Sequence, residues 1–201
     1  MYNKPDFEAD EAESVDIVDA NPLAQIVVAT PNGLFATPVP MVRRDGSLVG
    51  HVARPNELWQ HPGEALAIFT GPDAYVSPNW YPSKAEHGRV VPTWNYTTVH
   101  VRGTLQIHDD DDWKLALVTF LTDTFEATQP RPWRVADAPA DYTAALMGRI
   151  VGIELINLTM EGKRKLSQNQ SAENLDAVRS ALANGDARQQ SVAQQMRPPS
   201  D

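Results

Sequence analysis

The stretch VVPTWNYTTVHVRG, residues 90–103, decides how the rest of the chain is read. From Thr93 onward its residues alternate. Val99 and Val101 share one side with Thr93, Asn95 and Thr97, while Trp94, Tyr96, His100 and Arg102 take the other. A half-buried strand usually keeps one face apolar and the other plainly polar. Here both faces mix rings with hydrogen-bonding groups. Such a strand is suited to stacking on a partner and hydrogen-bonding it as well.

Working outward, the same alternation continues to Asp109, with a bend expected at Gly103. On the N-terminal side, Asp10 followed by Glu13 signals a capped helix with Val15 and Val18 turned inward, ended by Pro22. LAQIVVAT (23–30), LFATPVPMV (34–42) and SLVGHVA (47–53) read as strands joined by tight turns, Asp45-Gly46 being the clearest. A short helical turn closes at Pro62. Strands over 64–71 and 73–78 are expected to hinge at Gly71-Pro72, followed by a long loop, WYPSKAEHGRVVP.

After the long strand, Asp109 to Asp112 suit the positive end of a helix that carries Leu115, Leu117, Val118, Leu121 and Phe125 at helical spacing. PADYTAALMGR is a second helix and IVGIELINLTMEG (150–162) a last long strand. SAENLDAVRSALANG (171–185) is a helix with both ends marked. The expectation is a mainly β protein with helical additions (α+β), its five to seven antiparallel strands closing into a barrel. Residues 1–185 form one domain, and 186–201 a polar tail with a marginal helix and a fraying end.

Composition narrows the function. The chain has 201 residues, no cysteine, and a net charge of −9. The absence of cysteine excludes disulfides, thiolate metal sites and a cysteine nucleophile. The five histidines lack metal-ligand spacing, so no metal is expected. The acidic balance argues against a whole-surface nucleic-acid binder, leaving two local basic clusters, Arg43-Arg44 and Lys163 to Lys165. No membrane-length apolar run and no apolar leader segment is present, so a cytoplasmic protein is expected. GxSxG, HExxH, P-loop and GxGxxG patterns are missing, and no catalytic acid, base or nucleophile is assigned.

Three stretches are suited to ligand chemistry. HVARPNELW (51–59) passes from a strand into a helical turn, where free N–H groups and Arg54 make a natural anion site. GPDAYVSPNWYPSK and VPTWNY cluster aromatics with Ser, Thr and Asn, as a planar ligand with polar edges requires. KRKLSQNQ (163–170) places three cations, then Ser167-Gln168-Asn169, between a strand and a capped helix.

Taken together and in order, MYNKPDF, ATPVP (36–40), HVARPNELW, AIFTGPDAYVSPNWYPSK (67–84), VVPTWNYTTVHVRG, IVGIEL and EGKRKLSQN resemble the PaiB-type family of FMN-binding negative transcriptional regulators. The resemblance runs from residue 1 to about 196. It implies an FMN-binding split β-barrel, a homodimer, and a flavin at the subunit interface. By that similarity His51, Ala53, Arg54 and Asn56 mark the phosphate end. Thr37, Pro38 and Val39, with Trp94, Asn95, Lys165, Ser167, Gln168 and Asn169, contact the ring and ribityl chain. Phe125-Glu126 stands where relatives tend to have His-Glu, so no histidine role is implied there. Two functions remain open, each with a small-molecule substrate or effector: a negative transcriptional regulator acting through a bound flavin, its direct nucleic-acid contact disfavoured by the acidic charge, or a flavin-dependent oxidoreductase with no direct DNA contact. A flavin-free scaffold is a third.

Overall fold

The computed structural model describes residues 1–196. In chain order it has β1 (Glu8–Ala9), α1 (Glu11–Ala20), β2 (Leu23–Thr30), β3 (Gly33–Pro40), β4 (Val42–Arg44), β5 (Ser47–Ala53), β6 (Gly63–Val76) and α2 (Ser83–His87). Then follow β7 (Thr93–His108), α3 (Asp111–Glu126), α4 (Ala140–Met147), β8 (Ile150–Lys165), α5 (Ala172–Ala183) and α6 (Ala187–Gln195). The hydrogen-bonded strand order is β3-β2-β6-β7-β8-β5-β4, with β1 added to β8. Among the described residues that makes eight strands against the five to seven expected: β1 is new, the expected strand 34–42 divides into β3 and β4, and the expected strands 64–71 and 73–78 are one, β6. No helix among the described residues is long and apolar enough to cross a membrane.

The chain divides into two compact units. One is built from Met1–Asn21, Phe69–His100 and Met160 onward, the other from Pro22–Ile68 and Val101–Thr159. The long strands β6, β7 and β8 contribute residues to each.

In the second unit the hairpins follow directly from local chemistry. Asp45 (φ 49°) and Gly46 (φ 84°) both take left-handed backbone, as a two-residue turn between β4 and β5 requires, and Arg44 pairs with Ser47 across it. β2 pairs antiparallel with β3 from Leu23↔Pro40 to Thr30↔Gly33. β5 pairs antiparallel with β8 from Leu48↔Leu155 to Ala53↔Ile150. Along β5 a Cβ on Gly50 would lie 2.5 Å from the Pro40 carbonyl, so only glycine permits that close approach. Val49, Leu117 and Leu121 bury together under α3, with Trp113 and Phe120 packed on them.

α3 departs from its helical-spacing reading. Leu117 and Leu121 are buried, but Leu115 and Phe125 are exposed. Lys114 is buried in their stead, its ammonium donating to Asp109 Oδ1 at 3.1 Å and to the Met147 carbonyl at 2.8 Å. A buried ammonium is tolerable only when its donors are matched. The partners that match it come from residues that helical periodicity does not register.

In the first unit α1 starts on the expected capping box, with Asp10 accepting from the Glu13 N–H at 2.8 Å. Ile17 and Val18 are buried, and Val15 only partly. The loop after β6 contains a turn of helix, α2. The expected break at Gly71-Pro72 is absent. β6 runs through it, and the burial alternation shifts phase by one residue between Gly71 and Ala74. A Cβ on Gly71 would sit 2.2 Å from Thr97 Oγ1, so the glycine serves close strand contact.

The Lys163–Lys165 run is likewise relocated, because β8 extends through it instead of ending at Gly162. α6 is no marginal helix. A capping box from Asp186 to Gln189 starts it, and Val192, Ala193 and Met196 bury against Leu175, Val178 and Leu182 of α5. The fraying end expected at residues 197–201 falls outside the described residues.

Candidate functional site

In β8 the period of two separates three consecutive cations. Arg164 turns toward α1, donating to Glu13 Oε1 at 2.7 Å and to the Gln195 carbonyl at 3.1 Å. Lys163 and Lys165 share the opposite face. Lys163 is buried, donates to the Tyr2 carbonyl at 2.9 Å, and has its ammonium 5.5 Å from the Tyr96 ring and 5.6 Å from that of Tyr2. Lys165 Nζ donates to Thr93 Oγ1 and to the Trp94 carbonyl, each at 2.6 Å. Burial, and then the neighbouring Lys163 charge, push the Lys165 ammonium below its ordinary pKa. Two cations held this close call for an anion.

They line a cavity of about 450 Å³ within the first unit, a size suited to a small organic ligand. Its walls carry Tyr2, Phe7, Tyr81, Trp94 and Tyr96, with Lys4 and Arg89 as further cations. Among the described residues no carboxylate or imidazole lines it. Trp94 is 53% exposed and meets Tyr75 edge to face with centroids 6.1 Å apart. A half-exposed indole beside cations can stack on a flat ring.

Of the residues that the sequence singled out in this unit, Trp94, Lys165, Ser167 and Asn169 reach the cavity. Asn169 is exposed, and its amide has no hydrogen-bond partner among the described residues. Asn95 and Gln168 do not line the cavity. Asn95 is fully buried; its amide donates to Ser167 Oγ at 2.9 Å and approaches Met196 Sδ at 3.8 Å. Gln168 folds back on its own strand, accepting from the Leu166 N–H at 2.7 Å and donating to the Arg164 carbonyl. Both act as supports. Ser167 sits at φ 66°, a conformation that a non-glycine residue holds only when its surroundings fix it.

Tyr2, Lys4, Phe7 and Arg89 were missed. Tyr2, Lys4 and Phe7 belong to the opening segment, and Arg89 to a stretch read as loop. Lys163 was within reach of sequence reasoning, since i and i+2 on a strand share a face.

In the second unit, Thr37 and Asn56 come together, with Asn56 Nδ2 donating to Thr37 Oγ1 at 3.1 Å. Asn56 also caps the turn Glu57–Gln60 by accepting from the Leu58 N–H at 2.9 Å. Pro38 and Ala53 are exposed, and Val39 points into the core. Burial lowers the pKa of His51, whose Nδ1 is buried without a partner.

Arg54, expected to be a free phosphate fork, is already engaged. Its Nε donates to the Gly148 carbonyl at 2.9 Å, and Nη1 and Nη2 bind both oxygens of Asp109 at 3.0 and 2.5 Å. Hydrogen bonds from Arg54 and then Lys114 hold the Asp109 carboxyl well below its usual range, at about 2. Among the described residues no cluster of His, Asp and Glu is arranged to hold a metal.

A family model described as "Putative FMN-binding domain" matches residues 1–157. The chain belongs to this family. Its cofactor is therefore FMN, and the donor set of the first unit fits that group: aromatic walls for a flat ring, neutral amides and hydroxyls, and paired ammonium groups for a phosphate. Protease synthase and sporulation protein PAI 2 of Bacillus subtilis is 29% identical over 85% of this chain and 84% of its own length. An uncharacterized protein of Saccharomyces cerevisiae is 36% identical over 49% of this chain. The chain spans between 53% and 64% of the length of this and two further fungal relatives. An FAD- and heme-binding protein of Mycobacterium smegmatis superposes with a TM-score of 0.58 at 19% identity, covering 78% of this chain and 71% of that one. The fold is thus the antiparallel split barrel of flavin-binding proteins, mainly β with helical additions.

Proposed function

We propose that this chain is a cytoplasmic, homodimeric flavoprotein regulator whose FMN is held by the cavity of the first unit. In this reading Lys163 and Lys165 neutralise the phosphate, and Trp94 and Tyr96 flank the ring. Ser167 and Asn169 hydrogen-bond the polar edge. When bound, FMN supplies one- and two-electron redox chemistry. The supporting observation is the juxtaposition of two ammonium groups on one strand face within an aromatic-walled cavity. Arg54 stands outside this role because Asp109 occupies its fork. The remaining candidates in the second unit, Thr37 with Asn56 and the exposed Pro38 and Ala53, are assigned to the partner-facing side of a flavin in a dimer.

The regulatory reading is favoured by the cavity lining, which among the described residues has no carboxylate or imidazole to take or give a proton during turnover. The net charge of −9 turns that regulation away from direct duplex contact and toward a small-molecule effector. A flavin-dependent oxidoreductase is the second reading. It is favoured by Lys165, whose ammonium is made easier to deprotonate by burial and by the neighbouring Lys163 charge.

The test starts with the visible spectrum of the purified protein and mass spectrometry of what denaturation releases. FMN at one per chain is expected. A colourless protein that fails to bind added FMN overturns the proposal. Rapid steady-state oxidation of NADH or NADPH by the loaded protein would favour the oxidoreductase, and its absence the regulator.

A further inference from the structure

The second unit carries a groove of about 1100 Å³ between α3 and the segment running from Pro132 through α4. Along α3 its wall is one stripe, from Asp111 through Leu115, Thr119 and Asp123 to Glu126. At 1.5 Å per residue that stripe is about 22 Å long. Helical spacing marks Leu115 for the core, yet it is 41% exposed and opens into the groove, with Met147 on the other wall. The middle of the groove is apolar and its ends are acidic. Asp111 and Asp112 lie at one end and Asp123 and Glu126 at the other, with Arg134 the one cation of the lining among the described residues. Neither Asp112 nor Asp123 has a side-chain partner among the described residues.

We infer that this groove docks an extended, basic peptide segment of a partner protein, cationic at both ends and apolar between. Length sets the form: the stripe runs about 22 Å, about four turns of helix, which a short segment covers when it is extended. An extended chain rising about 3.3 Å per residue fills that length with about seven residues. Charge complementarity selects the basic ends: of four lining carboxylates Asp111 is paired with Lys114, and the other three face one guanidinium, in a chain that is acidic overall. The apolar centre accounts for Leu115, which has no core to join.

The probe is a fluorescein-labelled seven-residue peptide with two lysines at each end and alanine and leucine between them. Fluorescence anisotropy with the full chain is expected to give saturable binding that weakens as salt rises. Asp112→Asn with Asp123→Asn, exposed and isosteric changes, should weaken it about tenfold. Asp16→Asn with Glu173→Gln, the same loss of charge elsewhere, should change it less than twofold. Leu115→Glu should weaken binding although it adds a carboxylate, which separates a groove from a diffuse acidic field. Equal losses in the two double variants, or equal binding of a glutamate-ended peptide, would overturn the proposal. So would 1,8-diaminooctane binding as tightly as the peptide with the same sensitivity, which would make the occupant a small amine. A change in oligomeric state in the Asp112/Asp123 double variant would assign the groove to a second copy instead.

Discussion

Lys165 Nζ and Thr93 Oγ1 lie 2.6 Å apart, and this bond aims the one half-buried ammonium of β8 along the cavity wall beside Lys163. The charge is positioned from β7, by a residue 72 positions away in sequence. Charge-assisted hydrogen bonds contribute roughly 1.5–3 kcal/mol each. Lys165→Met should therefore weaken FMN about tenfold to a hundredfold and leave riboflavin, which has no phosphate, nearly unaffected. Flavin fluorescence titration of both ligands on both proteins is the measurement. Arg54→Ala is the comparison. If it selectively weakens FMN and Lys165→Met does not, the phosphate lies at the strand-to-turn junction after β5.

Asn95 belongs to the scaffold of the site. Its amide and the Ser167 hydroxyl exchange two hydrogen bonds, at 2.9 and 3.1 Å, in a fully buried position. Asn95→Ala removes both hydrogen bonds to the Ser167 hydroxyl, leaving it Tyr81, and opens a cavity, so a loss of about 1–3 kcal/mol in urea unfolding is expected. Affinity for FMN and riboflavin should fall together. A selective loss of FMN would make Asn95 a phosphate contact.

Asp109 links stability to acid. Its carboxyl is held at about 2 by Arg54 and Lys114, against an ordinary 3.8. The folded pKa is the lower one, so the stabilisation is fully present above pH 4 and is lost as pH falls toward 2. Asp109→Asn should unfold more readily than wild type at pH 6, and the gap should narrow steadily on acidification. A gap that stays constant from pH 6 to pH 2.5, followed by circular dichroism in urea, would remove Asp109 from the linkage.

Direct DNA contact should be weak. Each chain carries −9, so a dimer carries −18, and phosphate contacts supply most non-specific affinity. No duplex binding tighter than micromolar is expected at near-physiological salt. Footprinting of a defined operator at nanomolar protein would restore the direct-repressor reading.

Much of the fold was legible because it is local. The Asp10–Glu13 capping box, the Asp45-Gly46 turn and the alternation of β7 all depend on residues within a few positions of one another. The buried row Asn95, Thr97, Val99, Val101 and Leu105 lies where a period of two puts it. The same logic failed where polarity was the only guide to the end of an element. β8 runs on through Lys163 and Lys165 because the cavity face accommodates their stems, and α6 packs because its few apolar residues meet α5.

The site itself was half legible. The sequence determined that rings and hydrogen-bonding groups share the strand of Trp94, and Lys165, Ser167 and Asn169, singled out from sequence, line the same cavity as Trp94. It could not determine which cation lacks a carboxylate partner among the described residues. Arg54 is satisfied by Asp109, 55 positions away, and Arg164 by Glu13, 151 positions away, whereas Lys163 and Lys165 face a cavity. Period and capping are properties of neighbouring residues. Whether a charge is spent on a partner or left for a ligand depends on contacts between distant ones, and those exist only once the chain has folded.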